Sequence, residues 1–228
     1  MDRAVPHPRG TPVSRLREVT IAGPAGDLEG LLQERDAHDH AWIAVVCHPH
    51  SQFGGTLHNK VVHRVAATLH QLGAAVLRFN FRGVGKSAGA YDQGVGELED
   101  ARAALHWLRA RYPQARATLA GFSFGSWVAA RLAASEPGIE RLILVAPPAA
   151  TSDFMALATC PVPKLILQGT RDDLAPLAAV EEALPGWAEP KSLVRVEGAT
   201  HFFDRQLASL ADALRDALAS SRRASPRP

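Results

Sequence analysis

The sequence predicts an α/β fold with a mostly parallel sheet, because short β-branched runs alternate along the chain with segments of helical periodicity. The chain has 228 residues, 46% of them hydrophobic, which is enough for one sizeable core. The 25 lysines and arginines nearly balance the 23 aspartates and glutamates, so the chain lacks the basic stripe of nucleic-acid-binding domains. No internal repeat or long linker divides the chain, and we expect a single domain.

The first strands are predicted from turn signals and apolar runs. Residues 17–23 and 27–33, on either side of a Pro-Ala-Gly turn, predict an antiparallel hairpin. Residues 42–47 (WIAVVC) predict a strand that is buried on both faces. Further strands, which bring the number to about eight, are predicted at residues 75–80, 117–120, 141–146, 164–168 and 192–196.

Helices are predicted before and after these strands from apolar residues at helical spacing. The residues that form such faces are Val61, Val65, Leu69 and Leu72; Leu98, Ala101, Leu105 and Leu108; and Leu207, Leu210, Ala211, Leu214 and Leu218. In open sheets of this class, functional residues collect in the loops beyond the carboxyl ends of the strands. Those loops are therefore where we look for chemistry.

The ends of the chain and the cysteines suggest no further function. We expect a flexible N-terminal segment at residues 1–17, a single domain at residues 18–219 and a flexible basic tail at residues 220–228. No apolar run reaches the length of a signal peptide or a membrane span, so a cytoplasmic location is expected. Cys47 and Cys160 are isolated, which favours buried reduced thiols over a disulfide or a zinc site.

A candidate nucleophile stands in the segment Gly121-Phe122-Ser123-Phe124-Gly125, between a predicted strand and a predicted helix. A nucleophile on so sharp a turn needs glycines on both sides, so that the strand and helix backbones can approach each other. The turn directs the Phe124 amide and the start of the helix at the space above Ser123, where a substrate carbonyl oxygen becomes negative. We predict Ser123 as the nucleophile and Phe124 as one oxyanion-hole donor.

A serine nucleophile needs a base and an orienting carboxylate, which this topology supplies later in the chain, in the order Asp, His. His201 follows the last predicted strand and is the predicted base. Asp172 and Asp173 both follow the strand at residues 164–168, and two adjacent carboxylates cannot both face one imidazole. These residues alone leave the choice open, the other aspartate contacting solvent or capping the helix that starts near Pro176.

The second oxyanion-hole donor is expected from the loop after the third strand, which begins His48-Pro49-His50-Ser51. Pro49 has no N–H, so the His50 amide is the predicted donor and Ser51 is the alternative. His48 is expected to hold the loop by side-chain hydrogen bonds. The His-x-His pair has no third metal ligand at usable spacing, and no metal is predicted.

The segment at residues 82–87 (RGVGKS) ends like a phosphate-binding loop. However, Asn80 occupies the position where that motif needs its first glycine, and no helical pattern follows Ser87. We therefore expect neither nucleotide binding nor any other cofactor.

Five segments together resemble the α/β-hydrolase superfamily, and within it the small lidless bacterial serine hydrolases with an HPH-x-x-x-GG-T segment. They are CHPHSQFGGTLHNKVV, RFNFRGVGKSAG, GFSFG, QGTRDDLAP and GATHFF. The resemblance spans residues 18–218 and implies an α/β-hydrolase fold: a mostly parallel eight-stranded sheet, its second strand antiparallel, with helices on both faces.

The resemblance also implies a triad of Ser123, Asp172 and His201, because the G-x-x-D-x-x-x-P pattern of the family matches Asp172 and not Asp173. The chain departs from the family in carrying His-Pro-His where a His-Gly segment is commoner. Larger relatives insert a lid after the sixth strand, whereas here only residues 147–161 separate two predicted strands. We expect an open site in which Phe154, Met155 and Leu157 contact the acyl or alcohol group.

The predicted function is cleavage of ester bonds by a carboxylesterase-like serine hydrolase, through a Ser-His-Asp triad and an acyl-enzyme intermediate. Thioesterase or peptidase activity would use the same groups. The alternative is a non-catalytic binding or scaffold protein that keeps the fold. The expected partner is a small-molecule acyl substrate, with no nucleic acid and no membrane, and the expected state is a monomer or a homodimer.

Overall fold

The structure is a computed structural model that describes residues 14–35 and 40–224. The strands within these ranges are β1 (Ser14–Gly23), β2 (Gly26–Arg35), β3 (Trp42–Cys47), β4 (Ala75–Phe79), β5 (Arg116–Phe122), β6 (Ile139–Val145), β7 (Lys164–Gly169) and β8 (Lys191–Val196). They form an eight-stranded sheet in the order β1-β2-β4-β3-β5-β6-β7-β8. β2 is antiparallel to both of its neighbours, β1 and β4. The remaining pairs, β4-β3, β3-β5, β5-β6, β6-β7 and β7-β8, are parallel. The predicted α/β fold with an antiparallel second strand is confirmed.

Helices cover both faces of this sheet. They are α1 (Lys60–Gln71), α2 (Val95–Arg111), α3 (Phe124–Ser135), α4 (Leu177–Ala183) and α5 (Leu207–Ala224). Successive residues of β3 point to opposite faces, so Ile43 and Val45 pack under α2 and α3 while Ala44 and Val46 pack under α1 and α5. Burial of both faces explains why β3 is apolar throughout. Among the helices of the described ranges, none combines the length and apolar character needed to cross a bilayer.

The folded unit extends beyond the boundaries expected from the sequence. β1 begins at Ser14, because the hairpin register continues until Ser14 pairs with Arg35. Residues 14–17 are therefore strand, although they were expected in the flexible N-terminal segment. α5 likewise continues to Ala224, past the expected boundary at residue 219. The remaining parts of the two expected flexible ends, residues 1–13 and 225–228, lie outside the described residues.

The segment at residues 82–87 is a turn that ties the end of β4 to the β1-β2 hairpin. The Ser87 hydroxyl donates to the Asn80 carbonyl over 2.7 Å and accepts the Glu29 N–H over 2.9 Å. The Glu29 carboxylate in turn accepts the Lys86 N–H and the side-chain amide of Asn80. These hydrogen bonds use the polar groups of the segment inside the fold.

Candidate active site

Ser123 occupies a one-residue turn between β5, which ends at Phe122, and α3, which begins at Phe124. Its backbone has φ 53° and ψ −122°, a conformation that residues with a Cβ atom rarely adopt. Such strain persists only where the surrounding structure enforces it, and it clusters at functional sites. The backbone at Ser123 is therefore that of an elbow that presents the side chain beyond the end of the sheet.

The glycines on either side of this turn allow a close approach of three backbones. A Cβ on Gly121 would lie 2.1 Å from the Gly125 oxygen. A Cβ on Gly125 would lie 2.4 Å from the carbonyl oxygens of Cys47 and His48, at the end of β3. Both distances are far inside van der Waals contact, so only glycine fits. The steric reason given for the Gly-x-Ser-x-Gly spacing thus holds in the structure.

Three of the predicted site residues lie in a hydrogen-bonded series. The Nε2 atom of His201 is 3.0 Å from Ser123 Oγ, and its Nδ1 atom is 2.9 Å from Asp172 Oδ2. These residues follow β5, β7 and β8, and the carboxyl ends of parallel strands meet at one edge of a sheet. His201 and Asp172 are buried, with 7% and 4% of their surfaces exposed. The structure therefore brings together the serine, the histidine and one of the two aspartates.

The choice between the two aspartates, which the residues alone leave open, is decided by burial and hydrogen bonding. Asp172 Oδ1 accepts the N–H groups of Leu174 and Ala175, at 3.0 and 2.7 Å. Oδ2 accepts the side-chain amide of Gln168 at 3.1 Å. Asp173 is exposed, and the start of α4 has no side-chain cap. Asp172 is thus the carboxylate that faces the imidazole, as the G-x-x-D pattern implied.

Gln168 is a site residue that the sequence analysis did not single out. It is the last side chain of the buried strand β7, and none of its surface is exposed. Its amide nitrogen also donates to the Ala175 carbonyl at 2.8 Å, so it joins both ends of the loop that carries Asp172. The signal available in the sequence was a glutamine directly after the apolar run Leu-Ile-Leu of a predicted buried strand. A buried polar side chain needs hydrogen-bond partners, which here come from the loop that follows.

The backbone amides predicted for the oxyanion hole belong to Phe124 and His50, two residues that line one cavity with Ser123. Phe124 is the first residue of α3, and its N–H has no acceptor within the helix. Among the described residues, neither this N–H nor that of His50 has a hydrogen-bond acceptor. Phe124 and His50 line the same cavity as Ser123, whereas Ser51, the alternative donor, does not. Two free donors therefore share one cavity with the serine.

His48 anchors the loop that carries His50. Its ring is fully buried: Nδ1 donates to the Pro49 carbonyl over 2.6 Å, and Nε2 accepts the Phe81 N–H over 3.0 Å. Because both ring nitrogens are used by the backbone, His48 has the loop-holding position expected for it. Within residues 14–35 and 40–224, no three His, Cys, Asp or Glu side chains come together in a way that could hold a metal ion.

His50 itself is held by its own side chain. Its Nδ1 atom accepts the Gln52 N–H over 3.3 Å, which leaves Nε2 to donate to the Tyr91 hydroxyl over 2.9 Å. Burial lowers the pKa of His50, in the direction that keeps this ring neutral and able to accept at Nδ1. At Gly55 a Cβ would lie 2.0 Å from the Pro49 oxygen, so glycine lets the loop close on itself. The His50 amide is therefore fixed by contacts on both sides.

The burial of His48 predicts a pH-dependent stability. Burial lowers its pKa to about 4, against the opposing effect of its bond to the Pro49 carbonyl. The unfolded chain takes up this proton near pH 6.5 and the folded chain does not, so the free energy of unfolding decreases as the pH falls from about 6.5 to about 4. We expect a loss of about 2 kcal/mol from this residue between about pH 7.5 and about pH 5.

Urea unfolding of the wild type and of His48→Asn at these two pH values measures this contribution. Burial also lowers the pKa of His50, His63 and His70. The variant should therefore retain a smaller decrease in stability than the wild type. His106→Ala serves as the control. Its imidazole is half exposed and faces the Glu136 carboxylate, so its removal should not reduce the decrease that the wild type shows. Equal decreases in His48→Asn and the wild type would contradict the prediction.

An open cavity of about 470 Å³ contains the serine and histidine. Its lining residues are Pro49, His50, Phe53, Gly54, Gly55, Asn59, Ser123, Phe124, Pro148, Thr151, Ser152, Leu174, His201 and Phe202. In the described segment between β6 and β7 the only helix is a 3-10 turn, Met155–Ala158, so this segment carries no cap domain. The shortness of the segment between β6 and β7 predicted an open site, and the cavity is open.

The expected substrate contacts of Phe154, Met155 and Leu157 do not match their positions. Phe154 and Leu157 are 5% and 0% exposed in the core, where Phe154 packs against Trp187 with ring centroids 5.3 Å apart. Met155 is exposed but does not line the cavity. The reason is that the chain turns back into the protein after Ser152. Residues 148, 151 and 152 form this side of the cavity instead.

Comparison with known proteins agrees with this architecture. A family model described as alpha/beta hydrolase fold matches residues 45–161. An uncharacterized protein of Rickettsia prowazekii is 38% identical over 212 residues, which cover 89% of each chain.

Two solved structures are similar over almost their whole length. A protein of unknown function from Agrobacterium tumefaciens has a TM-score of 0.86 and 36% identity, covering 93% of this chain and 100% of its own. A lidless α/β serine hydrolase from Xanthomonas campestris has a TM-score of 0.83 and 40% identity, covering 93% and 96%. Fold, family model and relatives agree, and the chain belongs to the α/β-hydrolase fold family.

Proposed function

We propose that the protein is a serine hydrolase that cleaves carboxylic esters through an acyl-enzyme intermediate. The observation that carries this proposal is the series from Asp172 through His201 to Ser123, which ends in an open cavity. A histidine that is within hydrogen-bond distance of a serine, and that is itself held by a buried aspartate, activates the serine hydroxyl. Similarity to a lidless serine hydrolase supports the same reaction class.

The protonation state of His201 follows from its partners. A carboxylate only accepts hydrogen bonds, so Nδ1 donates its proton to Asp172 and Nε2 accepts the Ser123 hydroxyl. Nε2 is therefore able to take the serine proton as Oγ attacks the substrate carbonyl carbon. The charged imidazole that results is stabilised by the carboxylate. Asp172 is itself held by the Gln168 amide and two backbone N–H groups.

In this proposal the amides of Phe124 and His50 bind the carbonyl oxygen when it becomes negative, because neither amide has an acceptor among the described residues. The proton on His201 then passes to the leaving alcohol, which departs and leaves the acyl group on Ser123. His201 next takes a proton from water, and the resulting attack on the acyl carbon releases the acid and restores Ser123. Apart from the substrate and water, every group in these proposed steps is a side chain or backbone amide of this chain. The proposed substrate is a small acyl compound.

Labelling with a fluorophosphonate tests this proposal. An activated serine reacts with this reagent and an ordinary serine does not. We expect one adduct on the wild type by intact mass and none on His201→Ala, because the alanine variant lacks the base. His106→Ala is the matched control, since His106 lies on α2 and bonds Glu136 away from the cavity. A folded wild type without an adduct, or an adduct retained in His201→Ala, would refute the proposal.

A further inference from the structure

The mouth of the cavity carries large apolar side chains that are exposed to solvent. Among the described residues that line it, Phe53, Leu174 and Phe202 are 87%, 62% and 41% exposed. Single exposed apolar residues are common, but here they converge on one cavity from three separate loops. Each has apolar surface that a bound molecule can cover, and covering such surface is favourable.

Two of these residues, Phe202 and Leu174, belong to the loops that carry the base and the carboxylate that faces it, and both line the cavity. The Phe202 ring directly follows His201 in the chain, and the two ring centroids are 5.2 Å apart. Leu174 donates its N–H to Asp172 Oδ1, so it stands beside the carboxylate that holds the base. Phe53 packs instead on the His50 ring, at a centroid distance of 4.9 Å, beside the proposed oxyanion hole.

The chemistry of the proposed reaction assigns these sides to different parts of the substrate. His201 Nε2 must deliver its proton to the leaving oxygen, so that oxygen has to come within hydrogen-bond distance of Nε2. In the same reaction the carbonyl oxygen of the substrate points away from His201, toward the amides of Phe124 and His50. In the proposed reaction the alcohol portion of an ester therefore leaves on the side of His201, and Phe202 and Leu174 line the cavity together with His201.

The same surface is free of charge. The described residues that line the cavity include no aspartate, glutamate, lysine or arginine. Lys60 lies near it, with Nζ 6.0 Å from the centroid of the Phe202 ring, but this ammonium is paired with Asp204. A charged alcohol portion would thus lose hydration here and find no opposite charge to compensate.

We propose that the site selects esters with an uncharged, apolar alcohol portion, and that Phe202 and Leu174 determine this preference. This inference rests on the proposed function, because it uses the position of the leaving oxygen next to His201. The proposal concerns the alcohol portion of the substrate and makes no assignment for the acyl portion.

A series of n-alkyl acetates from methyl to hexyl tests the inference. Their acyl group is constant and their leaving alcohols differ little in basicity, so changes in kcat/KM report contacts of the alkyl chain. Full burial of a methylene raises affinity roughly fourfold, and in this open site we expect kcat/KM to rise about twofold per methylene. Phe202→Ser and Leu174→Ser should each lower the hexyl-to-methyl ratio of kcat/KM at least about threefold.

A general loss of activity in a variant lowers kcat/KM for both esters equally, so it does not change the hexyl-to-methyl ratio. Met155→Ser is the matched control, because Met155 is 76% exposed but does not line the cavity, and its ratio should equal that of the wild type. In a second series, methyl esters of acids of increasing length, Phe202→Ser and Leu174→Ser should keep the slope of the wild type. This series separates contacts of the alcohol from contacts of the acyl group.

Several outcomes would overturn the inference. They are a flat alcohol series in the wild type, an unchanged ratio in both variants, or variants that flatten the acyl series instead. A protein that takes the fluorophosphonate label and hydrolyses the acetates without regard to chain length contradicts this inference alone. A protein that takes no label and hydrolyses no ester contradicts the proposed function and, with it, this inference.

Discussion

Replacement of Ser123 by alanine is expected to lower turnover of a simple ester at least about 10⁴-fold and leave the fold intact. In the proposed reaction the Oγ atom is the group that attacks, and among the described residues it is hydrogen-bonded to His201 alone. Alanine keeps the Cβ atom, so the unusual backbone at φ 53° is no more strained than before. Steady-state kinetics with p-nitrophenyl acetate measure the loss, and circular dichroism with thermal unfolding checks the fold.

Ser135→Ala provides a matched control for this loss. Ser135 ends the same helix, α3. Its hydroxyl donates to carbonyls of that helix and accepts a hydrogen bond from Arg102, and the residue does not line the cavity, so turnover should stay at the wild-type value. A residual rate above that in water is expected in Ser123→Ala, because the amides proposed to form the oxyanion hole remain. A variant that keeps most of its activity would require a different nucleophile. Thr151 and Ser152, the other hydroxyl residues of the cavity, would then be the first to replace.

The fold and the glycine-flanked turn at Ser123 could be predicted from patterns along the chain. The apolar run of β3 reflects burial on both faces, and the glycines around Ser123 reflect contacts within a few residues of the turn and the end of β3. The start of β1 could not be predicted in this way. Its first residues are exposed, so they show no apolar alternation, and their strand conformation comes from pairing with β2.

The acidic member of the site and the substrate contacts depend on tertiary structure. Asp172 and Asp173 are chemically identical, and only the donors around Asp172, including Gln168 from the end of β7, distinguish them. The apolar pattern at Phe154 and Leu157 suits a cavity wall and a packed core equally well. Trp187, which arrives from the segment before β8, makes them part of the core. Residue chemistry alone therefore left the choice of aspartate open, the family pattern implied Asp172, and the expected substrate contacts of Phe154 and Leu157 were wrong.

Asp172→Asn is expected to lower turnover about 10⁴-fold, whereas Asp173→Asn should stay within about twofold of the wild type. The reason lies in the donors that surround the carboxylate. Oδ1 accepts two backbone N–H groups, so the oxygen of an asparagine remains at that position. Its NH₂ group then replaces Oδ2 and faces His201 Nδ1 as a donor. The imidazole has to accept at Nδ1 and carry its proton on Nε2, where it can no longer take the proton of Ser123.

Turnover of p-nitrophenyl acetate by the two variants at the same pH measures this difference, and thermal unfolding verifies that both are folded. The exposed Asp173 controls for the loss of one negative charge in the same loop, because it does not contact the imidazole. Comparable losses in both variants would show that the charge of the loop matters and not the orientation of His201. A larger loss in Asp173→Asn would assign the orienting role to the other aspartate. A loss confined to Asp172→Asn is the result expected if the carboxylate that faces the imidazole orients His201 and stabilises its charged form.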